Sequence, residues 1–456
     1  MPISQDLGAF VASLTADAIP EPVMESTRRA LLNACGIALG CFTTPYAGVA
    51  RAAALAADGE VAGGATLLGD GRRTTIGAAT LANAALFHGR AQEDTLGGAH
   101  IGTVVIPLLI ALFEARRLPP ARLLPSILAA YEVAGRLEQV YAPVTTPIGF
   151  RGTPLYGTIG AAAAVARALE LPPERVGAAI ATAASLTGGT LQSFGDGTDE
   201  WRYQPGLAAR TGWMAAELAA AGAVASPNAF EGKAGFARVY ARQEADAAAL
   251  VAPLGRSWSI LRNAFKRYPV CAYNQTLVST TLALRPVAVA DIAAVEVRMN
   301  PFELGLPGML YRGPFQFVGQ TLMSVAFGAA ATLVHGIPTL AVMSAFDDAA
   351  VQALIGKITV VPDETVETFS CSVMLGLADG TTRSHTIRAR GEDMNLDRTA
   401  LLDVLVRVAA EGGIGRQPVE RLDRLVFKIE HHSDLSALVQ IFAEAAAVHQ
   451  PRSRIV

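Results

Sequence analysis

The chain of 456 residues contains few cysteines and no run of basic residues. Its four cysteines, Cys35, Cys41, Cys271 and Cys371, form no CxxC pair and no finger-like spacing, so we predict neither a disulfide framework nor a zinc site. The net charge of −3 gives no general attraction to nucleic acid or to an anionic membrane. We therefore expect reduced thiols in a cytoplasmic protein whose partner is a small molecule.

Long apolar runs are absent too, although hydrophobic residues make up 51% of the chain and the mean hydropathy is +0.35. The most apolar run, VVIPLLIALF at 104–113, is far shorter than the ~20 residues that a membrane-spanning helix needs. The N-terminal stretch carries acids and lacks the basic and apolar segments of a secretory signal. We predict no membrane association, and we attribute the high hydropathy to alanine-rich helices that pack closely.

The common cofactor signatures are missing as well. No GxGxxG after a strand, GxxxxGK[ST], HExxH or GxSxG motif occurs. His88 and His100 are twelve residues apart, and no other histidine or cysteine has ligand spacing to either. We therefore expect no cofactor and no metal, and chemistry that uses side chains alone.

Helical periodicity is what the first part of the chain does contain. From residue 21 to about 250, apolar residues recur at intervals of three and four, with breaks at glycine and proline. After about residue 266, short β-type runs such as IAAVEVRMNP and TFSCSVMLGL appear. The predicted fold class is mainly α, with a large all-helical domain and a smaller α+β domain. The predicted bounds are 1–265 with 398–456 for the helical domain and 266–397 for the α+β domain.

Glycine-rich polar loops interrupt the helical half, and such loops on a helical scaffold often carry functional sites. Three loops lie at 88–103, 148–160 and 191–206, and a further polar segment lies at the domain boundary, 263–275. Guanidinium groups bind carboxylates with paired hydrogen bonds, and a nearby lysine or histidine can move a proton at the adjacent carbon. The pattern therefore predicts a small polycarboxylate substrate. The cations are Arg151, Arg202, Lys266 and Arg267, and the proton-transfer candidates are His100, Tyr156, Asp94 and Glu93.

Each candidate also has a purely structural interpretation, and the residues alone leave both open. Asp94 and Thr95 can cap the following segment, and Tyr156 can be a core residue whose hydroxyl bonds to the backbone. Trp201 can serve packing. The remaining alternatives are a helix-end role for His88 and surface positions for Arg151 and Arg202.

Several segments, taken in order, resemble motifs of the MmgE/PrpD family. AQEDTLGGAH resembles the family's DFDDT run with a later histidine, and GFRGT, EWRYQPG and AFKRYP resemble GFHPT, TKRLHPG and FKPYP. NAFEGKAGFARVY is similar to the family's EGxxGF stretch, so the resemblance spans nearly the whole chain. It implies a helical main domain with a smaller α+β lid, usually in a homodimer. It also implies cofactor-free handling of a small di- or tricarboxylate.

The resemblance carries over to this chain residue by residue. Lys266, Asp94 and Thr95 match the motifs, and His100 matches with a spacing one residue shorter. Four positions depart from the motifs: Ala91 replaces the first aspartate of DFDDT, Arg151 the histidine of GFHPT, and Trp201 and Gln204 the lysine and histidine of TKRLHPG. We predict catalytic roles for Lys266, His100, Tyr156 and Asp94. We predict substrate-binding roles for Thr95, Arg151, Arg202, Trp201 and Gln204.

Three functions fit these residues. The first is a dehydratase-like lyase that removes a proton next to a carboxylate, which is the commoner chemistry implied by the family resemblance. The second is an epimerase of an iminodisuccinate-like dicarboxylate, in which Tyr156 faces Lys266 or His100 across one carbon. The third is a catalytically degenerate member of the family that only binds a carboxylate.

Overall fold

The computed structural model describes residues 1–449, so residues 450–456 of the predicted helical domain lie outside the described residues. Two compact units are present. The first comprises residues 1–189, 202–263 and the chain from 396 onward, and the second comprises 190–201 and 264–395. Compared with the predicted bounds, the two boundaries at 265 and 397 lie two residues earlier, and one internal segment, 190–201, belongs to the second unit.

The first unit is helical, as its periodicity predicts, and the predicted class of mainly α with a smaller α+β part is confirmed. Its one departure from an all-helical domain, within the described residues, is a short antiparallel pair, β1 (Ala65–Thr66) and β2 (Arg73–Thr74). The helices before residue 190 are α1 (Ile3–Ser13), α2 (Glu21–Leu39), α3 (Pro45–Asp58), α4 (Ile76–Phe87), α5 (Ile101–Arg116), α6 (Leu123–Thr145), α7 (Gly152–Ala168) and α8 (Pro173–Leu186).

The chain then contributes one short helix to the second unit before it returns to the first. That helix is α9 (Gln192–Asp196), and α10 (Gln204–Ala220), α11 (Phe236–Tyr240) and α12 (Ala247–Val251) follow in the first unit. After the second unit, the chain returns to the first and forms its last helices, α19 (Arg398–Glu411), α20 (Arg416–Val426) and α21 (Ser436–Ala447).

Small side chains allow the central helices of the first unit to approach closely. Every residue of α7 is buried, and this helix packs against α6 and α10. A Cβ at Gly212 on α10 would lie 2.3 Å from the carbonyl oxygen of Thr158 on α7, so glycine is required at this crossing. The apolar run 104–113 forms the buried part of α5. No helix among the described residues is both long enough and apolar enough to cross a membrane.

The second unit contains a four-stranded sheet with helices around it. The strand order is β4-β3-β5-β6, in which β3 pairs parallel with β4 and antiparallel with β5, and β5 and β6 form an antiparallel hairpin. The strands are β3 (Ile292–Met299), β4 (Ile358–Pro362), β5 (Cys371–Leu377) and β6 (Thr382–Ile387). The helices are α13 (Asn274–Ala283), α14 (Pro301–Leu304), α15 (Val318–Met323), α16 (Val325–His335), α17 (Leu340–Met343) and α18 (Ala349–Ile355).

Candidate active site

The polar residues of the first unit gather at the ends of four helices. His88 follows the last residue of α4, His100 precedes the first residue of α5, Arg151 precedes α7, and Gln204 is the first residue of α10. The loop between α4 and α5 adds the buried Glu93. These side chains form one cluster, in which hydrogen bonds join His88, Arg151 and Gln204 and short charge contacts join Glu93 to the two histidines. The alternative that Arg151 and Arg202 are surface residues is wrong, because their exposed fractions are 3% and 0%.

Glu93 lies between two imidazole rings. Its Oε2 is 3.1 Å from Nδ1 of His88, and its Oε1 is 3.5 Å from Nδ1 of His100. The centroids of the two rings are 5.7 Å apart. The carboxylate therefore faces the same nitrogen, Nδ1, of both histidines.

The hydrogen bonds of His100 determine which of its nitrogens can act as a base. Nδ1 lies 2.9 Å from the carbonyl oxygen of Asp94, and a carbonyl oxygen only accepts, so Nδ1 carries the proton of the neutral ring. Nε2 is then the unprotonated, basic nitrogen. The backbone N–H of His100 also donates to Oγ1 of Thr153 at 3.0 Å, which holds the start of α5. His100 itself is the N-cap residue of α5, rather than Asp94 or Thr95.

His88 has a different role from His100. Its Nε2 is 2.9 Å from a guanidinium nitrogen of Arg151, and a guanidinium only donates, so this Nε2 accepts the hydrogen bond. Burial lowers the pKa of His88 to about 4, although the neighbouring Glu93 raises it, so His88 is neutral at physiological pH. His88 therefore acts as an acceptor for Arg151.

Arg151 is a buried cation held on two sides. Beside its bond to His88, it donates to Oε1 of Gln204 at 2.9 Å. Burial lowers the pKa of Arg151 to about 9, with Glu93 opposing and Arg202 reinforcing this shift, so the guanidinium remains charged at neutral pH. Arg151 and Gln204, two of the residues that depart from the family motifs, are thus hydrogen-bonded to each other.

Asp94 is held by two donors. The hydroxyl of Tyr131 and Nδ2 of Asn263 both donate to its Oδ2, the latter at 2.8 Å. Burial, reinforced by the Asp94 charge, raises the pKa of Tyr131 well above its usual value, so the phenol remains protonated and donates. Donation to one carboxylate oxygen by two groups favours the ionised form of Asp94.

Arg202 holds the turn that follows α4. Its guanidinium donates to the carbonyl oxygens of His88 at 3.1 Å and Gly89 at 2.9 Å. It also stacks over the ring of Tyr46, with 3.6 Å from Cζ to the ring centroid. These contacts fix the backbone at His88, while the predicted contact of Arg202 with substrate stays a prediction.

Thr95 and Glu138 are located next to the tight turn between α4 and α5. The hydroxyl of Thr95 donates to the carbonyl oxygen of Gly97 at 2.5 Å, and the N–H of Gly98 donates to Oε1 of Glu138 at 3.0 Å. Gly97 has φ +58°, and a Cβ there would lie 2.0 Å from Oε1 of Glu138, so the turn requires glycine. Burial raises the pKa of Glu138 to about 7, with smaller opposing effects from Gly98 and Arg262.

This shift predicts that Glu138→Gln stabilises the protein in a pH-dependent way. The folded carboxyl binds its proton up to about pH 7, whereas the unfolded one loses it near pH 4.5, so the free energy of unfolding falls as pH rises between these values. Glutamine avoids this loss and still accepts from Gly98. We expect urea unfolding to show that the free energy of unfolding of Glu138→Gln exceeds that of the unmodified protein by an amount on the order of 1–3 kcal/mol at pH 8. At pH 4.5 we expect little difference.

The matched control for this experiment is Glu174→Gln, which removes an exposed carboxylate at the start of α8. A Glu138→Gln effect of equal size at both pH values would contradict the burial-driven shift.

Tyr156 lies outside this cluster of polar contacts. Its hydroxyl shares a hydrogen bond of 2.6 Å with Oγ1 of Thr145, and its ring lies near that of Phe236. Burial raises the pKa of Tyr156 above its usual value, so the hydroxyl keeps its proton at neutral pH. The structure does not show it in contact with His100.

Lys266 and Trp201 belong to the second unit. Lys266 is buried near the thiol of Cys271, and the lysine charge lowers the pKa of this thiol, against a larger increase caused by burial. Trp201 is buried and packs against Phe194, with ring centroids 5.2 Å apart, in agreement with its structural interpretation.

Ala91, which replaces the first acid of the family motif, has an unusual backbone. Its φ is +53°, in the left-handed region that residues with a Cβ seldom adopt. The residue is buried, with 7% of its surface exposed.

Glu93 was named only as one of several proton-transfer candidates and His88 only with a helix-end alternative, and neither was assigned a role among the predicted site residues. The sequence offered one signal for each: a histidine directly after an apolar helix and an acid beside Asp94. Neither signal indicates that the two side chains meet. Among residues 1–449, no group of three or more histidine, cysteine, aspartate or glutamate side chains is arranged to hold a metal ion.

Comparison with known proteins gives consistent matches. The family model of the MmgE/PrpD N-terminal domain matches residues 5–248, which is more than half of the chain. The cis-aconitate decarboxylase-like protein oryM of Aspergillus oryzae is 23% identical over 473 aligned positions, covering 97% of this chain and 97% of that protein. Cis-aconitate decarboxylase of Homo sapiens is 26% identical over 384 positions, covering 80% of this chain and 78% of the human protein.

Proposed function

Because the chain belongs to the MmgE/PrpD family, we propose that it is a cofactor-independent lyase that removes a proton next to a carboxylate of a small di- or tricarboxylate. The observation that carries this proposal is the pairing of a base with a cation in one cluster. His100 has its proton on Nδ1 and its basic nitrogen at Nε2, and the cluster also contains the buried guanidinium of Arg151. The names of the relatives, a cis-aconitate decarboxylase and a cis-aconitate decarboxylase-like protein, support a substrate of this class.

In a dehydration, Nε2 of His100 takes the proton from the carbon beside the carboxylate. The electron pair of that C–H bond forms the carbon–carbon double bond as the hydroxyl group on the next carbon leaves with a proton, as water. Negative charge accumulates on the carboxylate oxygens during proton removal, and the guanidinium of Arg151 stabilises it. In a decarboxylation, His100 first takes up a proton from solvent on Nε2; the electron pair of the broken C–C bond stays on carbon as CO₂ departs, and protonated His100 gives that proton to the carbon.

A second proton-transfer group is required to protonate the leaving hydroxyl. We propose Lys266 for this role on the match to the family's FKPYP motif. Asp94 is less suited to it, because its Oδ2 is already occupied by hydrogen bonds from Tyr131 and Asn263. We also propose substrate-binding roles for Thr95, Arg202, Trp201 and Gln204. The homodimer stays an expectation from the family resemblance.

The hydrogen bonds of the first unit favour the lyase over the epimerase. An epimerase of the predicted kind needs Tyr156 as a second proton carrier, yet its hydroxyl is bonded to Thr145. His88 is not a substitute, because its Nε2 accepts from Arg151 and its pKa is about 4.

A panel of acids in D₂O, followed by proton NMR, tests the proposed function. The panel comprises citrate, 2-methylcitrate, cis-aconitate and iminodisuccinate. A lyase would convert one of these acids either to a new alkene with loss of water or to a product with loss of CO₂. Conversion between stereoisomers or deuterium uptake without loss of either would indicate an epimerase. Measurable binding without any exchange would indicate a family member that only binds carboxylates.

A further inference from the structure

The neutral imidazole of His88 has a charged group on each side. Nδ1 lies 3.1 Å from Oε2 of Glu93, and Nε2 lies 2.9 Å from the guanidinium of Arg151. His88 and Glu93 are each 0% exposed, so water does not compete for these contacts. The charged groups around the ring are Glu93, Arg151 and Arg202.

These partners allow one arrangement of protons. A carboxylate accepts and a guanidinium donates, so the ring proton must be on Nδ1 and the lone pair on Nε2. The other tautomer would place a ring N–H against the donors of Arg151 and a lone pair against Glu93. The hydrogen bond from Arg151 therefore selects the tautomer, and the carboxylate of Glu93, 3.1 Å from Nδ1, favours a proton at that nitrogen by its charge.

Arg151 is fixed on its other side by Gln204, at 2.9 Å. Its guanidinium has five N–H donors in a rigid planar fork, and His88 and Gln204 each accept from one of its terminal nitrogens. A guanidinium held at two nitrogens has a defined plane, and its remaining donors have defined directions. Recognition of a carboxylate by arginine depends on that plane.

We propose that His88 is a positioning residue: with its proton on Nδ1, beside the charge of Glu93, its Nε2 fixes the guanidinium of Arg151 for one substrate carboxylate, and it transfers no proton in the reaction. The role of the substrate carboxylate rests on the proposed function, whereas the arrangement of Glu93, His88 and Arg151 does not.

Two replacements of His88 separate positioning from proton transfer. Glutamine places an amide oxygen near the position of Nε2 and can accept from Arg151, whereas asparagine is too short to reach it. We expect His88→Gln to bind cis-aconitate, measured by calorimetry, within about threefold of the unmodified protein. We expect His88→Asn to raise the Kd about 10- to 100-fold, because it loses a hydrogen bond to a charged group. Turnover at saturation should change less than the Kd in both variants.

Three outcomes would overturn the proposal. One is loss of turnover in both variants with an unchanged Kd, which would make His88 a proton carrier. Another is an equal Kd for His88→Gln and His88→Asn. The third is a ¹⁵N NMR spectrum of the unmodified protein with the His88 proton on Nε2, since we expect the proton on Nδ1 and a neutral ring from pH 5 to pH 8.

The NMR measurement needs no substrate, and it uses a variant only to assign the signals. The signals of His88 are assigned by their disappearance in either variant, from among the seven histidines of the chain. If the acid panel shows no turnover, the proposed function is refuted. The tautomer of His88 can still be measured in that case, and it tests the positioning role independently.

Discussion

His100→Asn is expected to reduce turnover about 10²- to 10⁴-fold while the Kd for the carboxylate substrate stays within about threefold. The side-chain amide of asparagine can donate to the carbonyl oxygen of Asp94, as Nδ1 does at 2.9 Å in the native protein. It has no basic nitrogen in the place of Nε2. The substitution therefore removes the base and leaves the start of α5 supported. Steady-state kinetics with the most active acid of the panel, together with calorimetric binding, measure the two effects.

His385→Asn is the matched control, because His385 is an exposed residue of β6 in the second unit. It should leave both turnover and binding unchanged. Turnover of His100→Asn equal to that of the control would exclude His100 as the base. A loss that appears in binding alone would mean that His100 contacts substrate without moving a proton.

Arg151→Lys is expected to weaken carboxylate binding about 10- to 100-fold although it conserves the charge. The guanidinium donates to His88 and Gln204 from two different nitrogens, both at 2.9 Å. A lysine ammonium is a compact point charge on a flexible stem and cannot reproduce that planar fork. Charge-assisted hydrogen bonds contribute about 1.5–3 kcal/mol each, which gives the expected range. Calorimetry with cis-aconitate measures the Kd.

The control for this substitution is Arg298→Lys, at an exposed arginine of β3 that pairs with Glu296 and Asp363. In the double variant Arg151→Lys/His88→Asn, the loss of binding free energy should be smaller than the sum of the losses in the two single variants, because both changes act on the same guanidinium. An unchanged Kd for Arg151→Lys would show that position 151 contributes charge alone and that the geometry of the fork has no role.

Much of the fold was predictable from local pattern. Apolar periodicity predicts α2, α5, α6 and α7, since each buries apolar residues that recur at helical spacing. The pair of β1 and β2 was not predictable, because two-residue strands carry no periodicity. The placement of 190–201 with the second unit was also missed, since it depends on packing between segments far apart in sequence.

The candidate site was predictable in part. The glycine-rich loops contain His100, Arg151 and Gln204, and the structure brings these three residues into one cluster, while their roles there stay predictions. The sequence could not indicate that His88 meets Arg151, because 63 positions separate them and tertiary packing alone brings the ends of α4 and α7 together. For the same reason it could not show that Arg202 bonds to the backbone of His88 across 114 positions.

The left-handed backbone of Ala91 bears on which residues the loop favours at this position. An alanine at φ +53° is strained by about 1–2 kcal/mol relative to a glycine, whereas aspartate and asparagine enter this region more readily. The acid that the motif of the MmgE/PrpD family has at this position would therefore fit the same turn with less strain. The turn thus favours an acid over alanine at position 91, so its backbone conformation does not explain the alanine.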